Sequence, residues 1–128
     1  MEMRWIVDAM NVIGSRPDGW WNDRDRAIRD FVAEVDAHAQ ATGKDITVVL
    51  DKDPGGRPET PGIEVVAARR RGRNAADHAI EQIVLGEEDR SRLIVVTSDR
   101  ALREAVEAAG AKVTSAGSFR RDMDGVDP

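Results

Sequence analysis

Three aspartates of this 128-residue chain each follow a short apolar run: Asp8 after WIV, Asp51 after ITVVL and Asp99 after LIVVTS. A fourth, Asp77, comes just after an arginine-rich stretch, ARRRGR at 68–73. Carboxylates gathered in one place repel each other and raise each other's pKa values unless a cation lies among them. Hard divalent ions such as Mg²⁺ and Mn²⁺ favour such oxygen ligands, with water and substrate phosphates completing the shell. The chain has no cysteine and only two histidines, His38 and His78, so thiolate and histidine-rich metal sites are not expected. The arginines lead into a helix start, where guanidinium groups and free backbone N–H groups attract phosphate. Acids for a metal beside arginines for phosphate are what phosphodiester hydrolysis needs.

For this chemistry to assemble, the acids must converge, and the periodicity supplies a way. RWIVD (4–8), DITVVLD (45–51) and RLIVVTSD (92–99) have the length and β-branched content of buried strands; GIEVVAA (62–68) is weaker, and AKVTSAG (111–117) suits an edge strand. Between them, residues 25–41 set Ile28, Phe31, Val32, Val35 and Ala39 on one helical face. Residues 74–85 and 99–109 carry similar stripes, and Gly110 suits a helix C-cap. Alternating strands and helices predict an α/β fold, a mostly parallel sheet of about five strands covered on both faces. Ligands of such sheets bind beyond the carboxyl ends of the strands, where Asp8, Asp51 and Asp99 emerge. Asp77, in the first turn of its helix, faces the same crevice.

The length fits one compact domain, expected over 1–117, with 118–128 a polar, disordered tail. The net charge of −5 argues against general basicity as a route to nucleic acid, but the arginine run shows that charge is not evenly spread. No signal-peptide pattern and no run of about 18 apolar residues is present, so no membrane partner and a cytoplasmic location are expected.

Each of these residues also admits a purely structural role. Asp99 can cap its helix, Asp77 can close a capping box with Asn74, and Asp51 can open a turn. The arginine run can be a solvated face, and His78 a surface histidine. Trp20 and Trp21, in a loop near the same edge, either stack on unpaired bases or plug the base of the following helix. Asp8 is hardest to read as structural, because the residues after it do not read as a helix start, and Asn11 can supply a further oxygen or amide contact.

Taken together, VDAMNVIG, RNAADHAIEQIV and IVVTSDRALREAVEAAGAKV resemble, in order and spacing, the YacP-like group of NYN domains, relatives of PIN-domain and flap-type nucleases. The resemblance spans about 4–115. It implies a Rossmann-like three-layer α/β/α sandwich and a metal-dependent ribonuclease, an endonuclease, that hydrolyses RNA phosphodiester bonds at acids clustered on the C-terminal sheet edge. It implies Asp8, Asp77 and Asp99 as catalytic metal ligands for Mg²⁺ or Mn²⁺, with Asp51 contributing through the outer shell or a water. Asn11 accompanies Asp8, Ser98 and Arg100 stand beside Asp99, and Arg69, Arg70, Arg71 and Arg73 are expected to hold the RNA backbone. The implied partner is single-stranded RNA, with mRNA on the ribosome as one source; monomer and homodimer both stay open. Two departures stand out. Ala9 and Met10 occupy positions where the family often has glycine and an aromatic residue, and His78 follows Asp77 where the acid is often doubled. The second departure implies one ion held firmly and a second weakly.

Two other functions fit parts of the sequence. VVLDKDPGG (48–56) is similar to the nucleophile loop of haloacid-dehalogenase-type phosphatases, with Asp51 as nucleophile and Asp53 as general acid. That loop usually opens its fold, whereas here a strand and a helix precede it. A non-catalytic RNA- or ribosome-binding module would keep the fold without all of the chemistry.

Overall fold

The computed structural model describes residues 2–72 and 74–125. Five strands form one sheet: β1 (Arg4–Asp8), β2 (Asp45–Leu50), β3 (Glu64–Ala67), β4 (Leu93–Val96) and β5 (Lys112–Thr114). The sheet order is β3-β2-β1-β4-β5 and every neighbouring pair is parallel. The chain therefore builds outward from β1 through β2 to β3, then returns to place β4 on the other side of β1. This reversal puts the topological switch point between the carboxyl ends of β1 and β4.

The faces of the sheet follow from strand alternation. Val7, Ile46, Val48, Leu50 and Val96 pack against helices α1 (Ala9–Ile13), α2 (Arg24–Thr42) and α5 (Ala116–Met123). Ile6, Val49, Leu93 and Val95 pack against α3 (Ala75–Leu85) and α4 (Arg100–Ala108). The result is the three-layer α/β/α sandwich the sequence implied. α2 shows how the local signals act: Asp23 accepts from the Arg26 N–H at its start, the expected apolar stripe is buried, and Gly43 at φ 76° ends it. A φ of this sign is cheap only for glycine. Among the described residues, no helix is long and apolar enough to cross a membrane.

Two elements correct the sequence reading. The residues after Asp8 do form a helix, α1, which has no side-chain cap hydrogen bond and is held by burial of Ala9, Val12 and Ile13. A five-residue helix gains too little from its own hydrogen bonds to stand without such packing. The segment expected as a disordered tail from 118 is instead most of α5, which crosses the expected boundary. Ser115 caps it by accepting from the Ser118 N–H, and Phe119 is fully buried in the α1–α2 face of the core. Residues 126–128 lie outside the described residues.

Candidate active site

Asp8 ends β1 on the face that Ile6 shares with α3 and α4, and it is only 5% exposed. Its Oδ2 accepts a hydrogen bond from Thr97 Oγ1 at 3.0 Å. Burial pushes its carboxyl up to about 6 from an ordinary 3.8, and the charges of Asp77 and Asp99 add to the rise. The Thr97 hydroxyl and the Asn11 backbone N–H act the other way, favouring the ionised form. Asp77, in the first turn of α3, is also raised, by burial first and then by Asp99 and Glu81. The charges of Asp77 and Asp99 thus reach Asp8, and that of Asp99 reaches Asp77, at the switch point.

Asp99 has a structural role as well as a place in this cluster. It is the N-cap of α4, its Oδ1 accepting from the Leu102 N–H at 2.9 Å, while its own N–H donates to Thr97 Oγ1 at 3.1 Å. The capping box offered as an alternative for Asp77 is not formed, since Asn74 makes no side-chain cap hydrogen bond. A cleft of about 510 Å³ opens beside the acids, lined by Arg70, Arg71, Asp77, His78, Glu81 and Asp99 among others. Basic and acidic groups therefore share one cavity, at the carboxyl edge of a parallel sheet.

A family model of the YacP-like NYN domain matches residues 5–127. The chain belongs to this family. Among solved structures it is similar to Rae1 (YacP) from Bacillus subtilis, at 24% identity and a TM-score of 0.79, over 98% of this chain and 75% of that one. A variant of the same protein with a tryptophan replaced by leucine gives 23% identity and a TM-score of 0.75, over 98% and 76%. These likenesses establish the fold. No curated protein matches the chain.

Within the NYN fold, the remaining expected residues fall into distinct places. Asn11 Oδ1 accepts from the Ser98 N–H at 2.8 Å, and Ser98 Oγ accepts from the Ala116 N–H at 3.0 Å. Both thus tie the loop after β4 to α1 and α5. Arg100 lies along its own helix, its Nε 3.2 Å from Glu104 Oε1. Arg70 and Arg71 line the acidic cleft, whereas Arg69 lines a neighbouring, more apolar pocket with Arg70, Val66 and Ala79. Arg73 lies outside the described residues.

Asp51 emerges at the same edge but is drawn into an ion pair with Arg24 at the start of α2, and it is not among the charges acting on Asp8. Its Oδ1 is buried without a hydrogen-bond partner among the described residues. Asp53 Oδ1 accepts from the Gly55 N–H at 2.9 Å and from Arg57 Nε at 3.2 Å, which holds its carboxyl below the usual range. Both acids of the phosphatase-like loop are thus engaged by arginines, and the strand that carries them flanks the central one.

Two residues beside the acids escaped the sequence reading. Thr97, fully buried, bridges Asp8 and Asp99 through its one hydroxyl. Its signal was a polar side chain extending the inward alternation of Leu93 and Val95. Glu81 lies one helical turn beyond Asp77, and the D-x-x-x-E spacing that puts them on one face was legible.

The donor set suits a hard divalent cation: it is all carboxylate oxygen, and its central member is pushed up by burial first and then by like charges. Yet among the described residues, no three acidic or histidine side chains are placed to hold one ion together. With one oxygen of Asp8 on Thr97 and one of Asp99 on its helix cap, the ligands must close inward to grip an ion.

Proposed function

We propose that the chain is a metal-dependent ribonuclease, most simply an endonuclease, that hydrolyses phosphodiester bonds at Asp8, Asp77 and Asp99. The observation that carries this is the buried Asp8, whose carboxyl is raised both by burial and by two neighbouring acids at the switch point. A protein gains nothing in stability from such a cluster; a cation among the acids would relieve it. Membership of a family of PIN-like nucleases supports the same reading.

Asp8 would be the central ligand, Asp77 and Asp99 its companions, and Asp51 an outer contributor only if it leaves Arg24. A bound Mg²⁺ or Mn²⁺ would supply Lewis acidity, lowering the pKa of an attacking water and steadying the leaving oxygen. Thr97 and the Asn11 N–H hold Asp8 ready to ionise, and Thr97 fixes the backbone of Asp99 beside it. Arg70 and Arg71, with the N-terminus of α3, would bind the phosphates of a single strand in the cleft.

The test is cleavage of a labelled single-stranded RNA by wild type, Asp8→Asn and Asp99→Asn, each with Mn²⁺, Mg²⁺ or EDTA. Asparagine is also a good N-cap, so Asp99→Asn should keep α4 intact. Metal-dependent cutting by wild type, abolished in both folded variants, is the expected result. Retained RNA binding without cutting by wild type under any metal would instead assign a non-catalytic binding module.

A further inference from the structure

Trp20 and Trp21 share a single 3₁₀ turn, Trp20–Asn22, yet they sit in opposite environments. Trp20 is partly buried against the core formed with α1 and α2. Trp21 is 57% exposed, and the only other large apolar side chain exposed to a comparable degree among the described residues is Leu85. The two indoles meet edge to face, with centroids 5.9 Å apart and planes at 85°. Trp20 therefore plugs the base of α2, and its ring braces Trp21 from the side while leaving it open to solvent. Exposing an indole costs hydrophobic stabilisation, and its two side-chain torsions make it a low-entropy contact surface once braced.

The location of the turn gives this exposure a use. It immediately precedes α2, whose first residue, Arg24, reaches Asp51 at the end of β2; the turn thus lies at the carboxyl edge of the sheet. Asp8 opens toward the face covered by α3 and α4, and Trp21 stands on the other face. The turn and the acids thus share one edge of the sheet.

We infer that Trp21 is a stacking platform for an unpaired base of single-stranded RNA beyond the scissile bond. The inference rests on the ribonuclease reading and adds a positioning residue to it. The surroundings favour stacking over phosphate binding, because Asp18, Asp23 and Asp25 offset Arg16, Arg24 and Arg26 near the turn. Stacking of this kind tolerates any base, requires an unpaired strand and contributes little to salt dependence, unlike an arginine on a phosphate.

The deciding experiment measures binding of a labelled single-stranded RNA, and of the same RNA in duplex form, over a salt series. The proteins are Asp8→Asn alone and with Trp21→Ala, Trp21→Phe or Leu85→Ala, each checked for folding by its thermal melt. Trp21→Ala is expected to weaken single-strand binding by about fivefold to a hundredfold. The slope against salt and the duplex affinity should stay unchanged, Trp21→Phe should retain most of the affinity, and Leu85→Ala should have no effect. Single-strand binding that is indifferent to Trp21→Ala and Trp21→Phe overturns the stacking role and leaves the ribonuclease role standing. Loss of self-association in Trp21→Ala, with RNA binding intact, also overturns it, assigning the indole to a protein contact. No RNA binding by any of the proteins, or by wild type, overturns both.

Discussion

The hydroxyl of Thr97 donates to Asp8 and accepts from the N–H of Asp99, so one buried oxygen joins the ends of the two strands that carry the acids. Donor and acceptor capacities are both used, which fixes the direction of the proton. With Thr97 wholly buried, water cannot replace this bridge.

Replacing Thr97 by valine keeps the shape and removes the bridge. The Asp99 N–H and the Asp8 carboxylate each lose a partner, which should cost about 1–3 kcal/mol. Because the hydroxyl lowers the Asp8 pKa, its loss should raise that pKa further. Urea denaturation measures the first effect, and a higher Mn²⁺ concentration for half-maximal cleavage reports the second. Unchanged stability together with an unchanged metal requirement would refute the bridging role.

Asp8 also makes stability depend on pH with a known sign. Its folded pKa, about 6, lies above its ordinary 3.8, so between these values the folded state holds a proton that the unfolded state has released. Stability should therefore fall as pH rises from about 4 to about 6, by about 2–3 kcal/mol for a two-unit shift. Thermal melts in EDTA at pH 4, 5, 6 and 7.5 should show wild type losing ground to Asp8→Asn across that interval. Parallel pH profiles for the two proteins would count against a perturbed Asp8.

A cation that binds only the folded acids reverses this loss. At about a hundred times its dissociation constant a divalent ion should add roughly 2.7 kcal/mol, a rise of several degrees in melting temperature. The gain should be smaller at pH 5, where Asp8 is largely protonated, and smaller in Asp8→Asn at any pH. A melting temperature insensitive to Mn²⁺ and Mg²⁺ at pH 7.5 would argue that the acids hold no metal.

The two cleft arginines are separable from the acids by salt. If Arg70 and Arg71 each neutralise one phosphate of a single strand, each alanine substitution should reduce the slope of log affinity against log salt by about 0.7. Arg69, which lines a different pocket, should change the slope less. Equal slopes in all the variants would place the RNA elsewhere.

The loop between β2 and β3 is latched at its far end. Asp36, only 7% exposed on α2, accepts from the Gly62 N–H at 2.6 Å and from Gln40 Nε2 at 2.7 Å. A Cβ on Gly62 would lie 2.7 Å from Gln40 Cγ and 2.9 Å from Asp36 Oδ1. Gly62→Ala should therefore cost about 1–3 kcal/mol by overpacking and speed tryptic cleavage at Lys52 in the same loop. A protease-resistant, fully stable variant would show that the latch is dispensable.

The sequence revealed most of what positions the acids, because an apolar strand that ends in an acid is a local pattern and the parallel sheet brings such ends to one edge. Asp8 and Asp99 could be placed at the crevice in this way, and Asp77 from its place in the first turn of a helix that begins past a strand end. Asp51 follows the same local pattern, yet its partner Arg24 lies 27 residues earlier, and nothing in the strand announces that contact. α1 escaped because five residues are too few for a helical period, and α5 because a single buried aromatic, Phe119, anchors an otherwise polar segment. Thr97 looked like strand filler until its hydroxyl was seen between the two acids.

The central position of β1 bears on how this protein comes into being. Its neighbours β2 and β4 arrive later in the chain, and the contact between Asp8 and Thr97 spans 89 residues. Sheets built from such distant pairings form slowly, since the intervening chain must be closed before they repay it. During translation from the N-terminus, a nascent chain that displays Asp8 has no β4, no Thr97 and no Asp99 until most of it has been made. The acids are gathered only at the end, so on the ribonuclease reading an unfinished copy would be unarmed while it still hangs beside its own message.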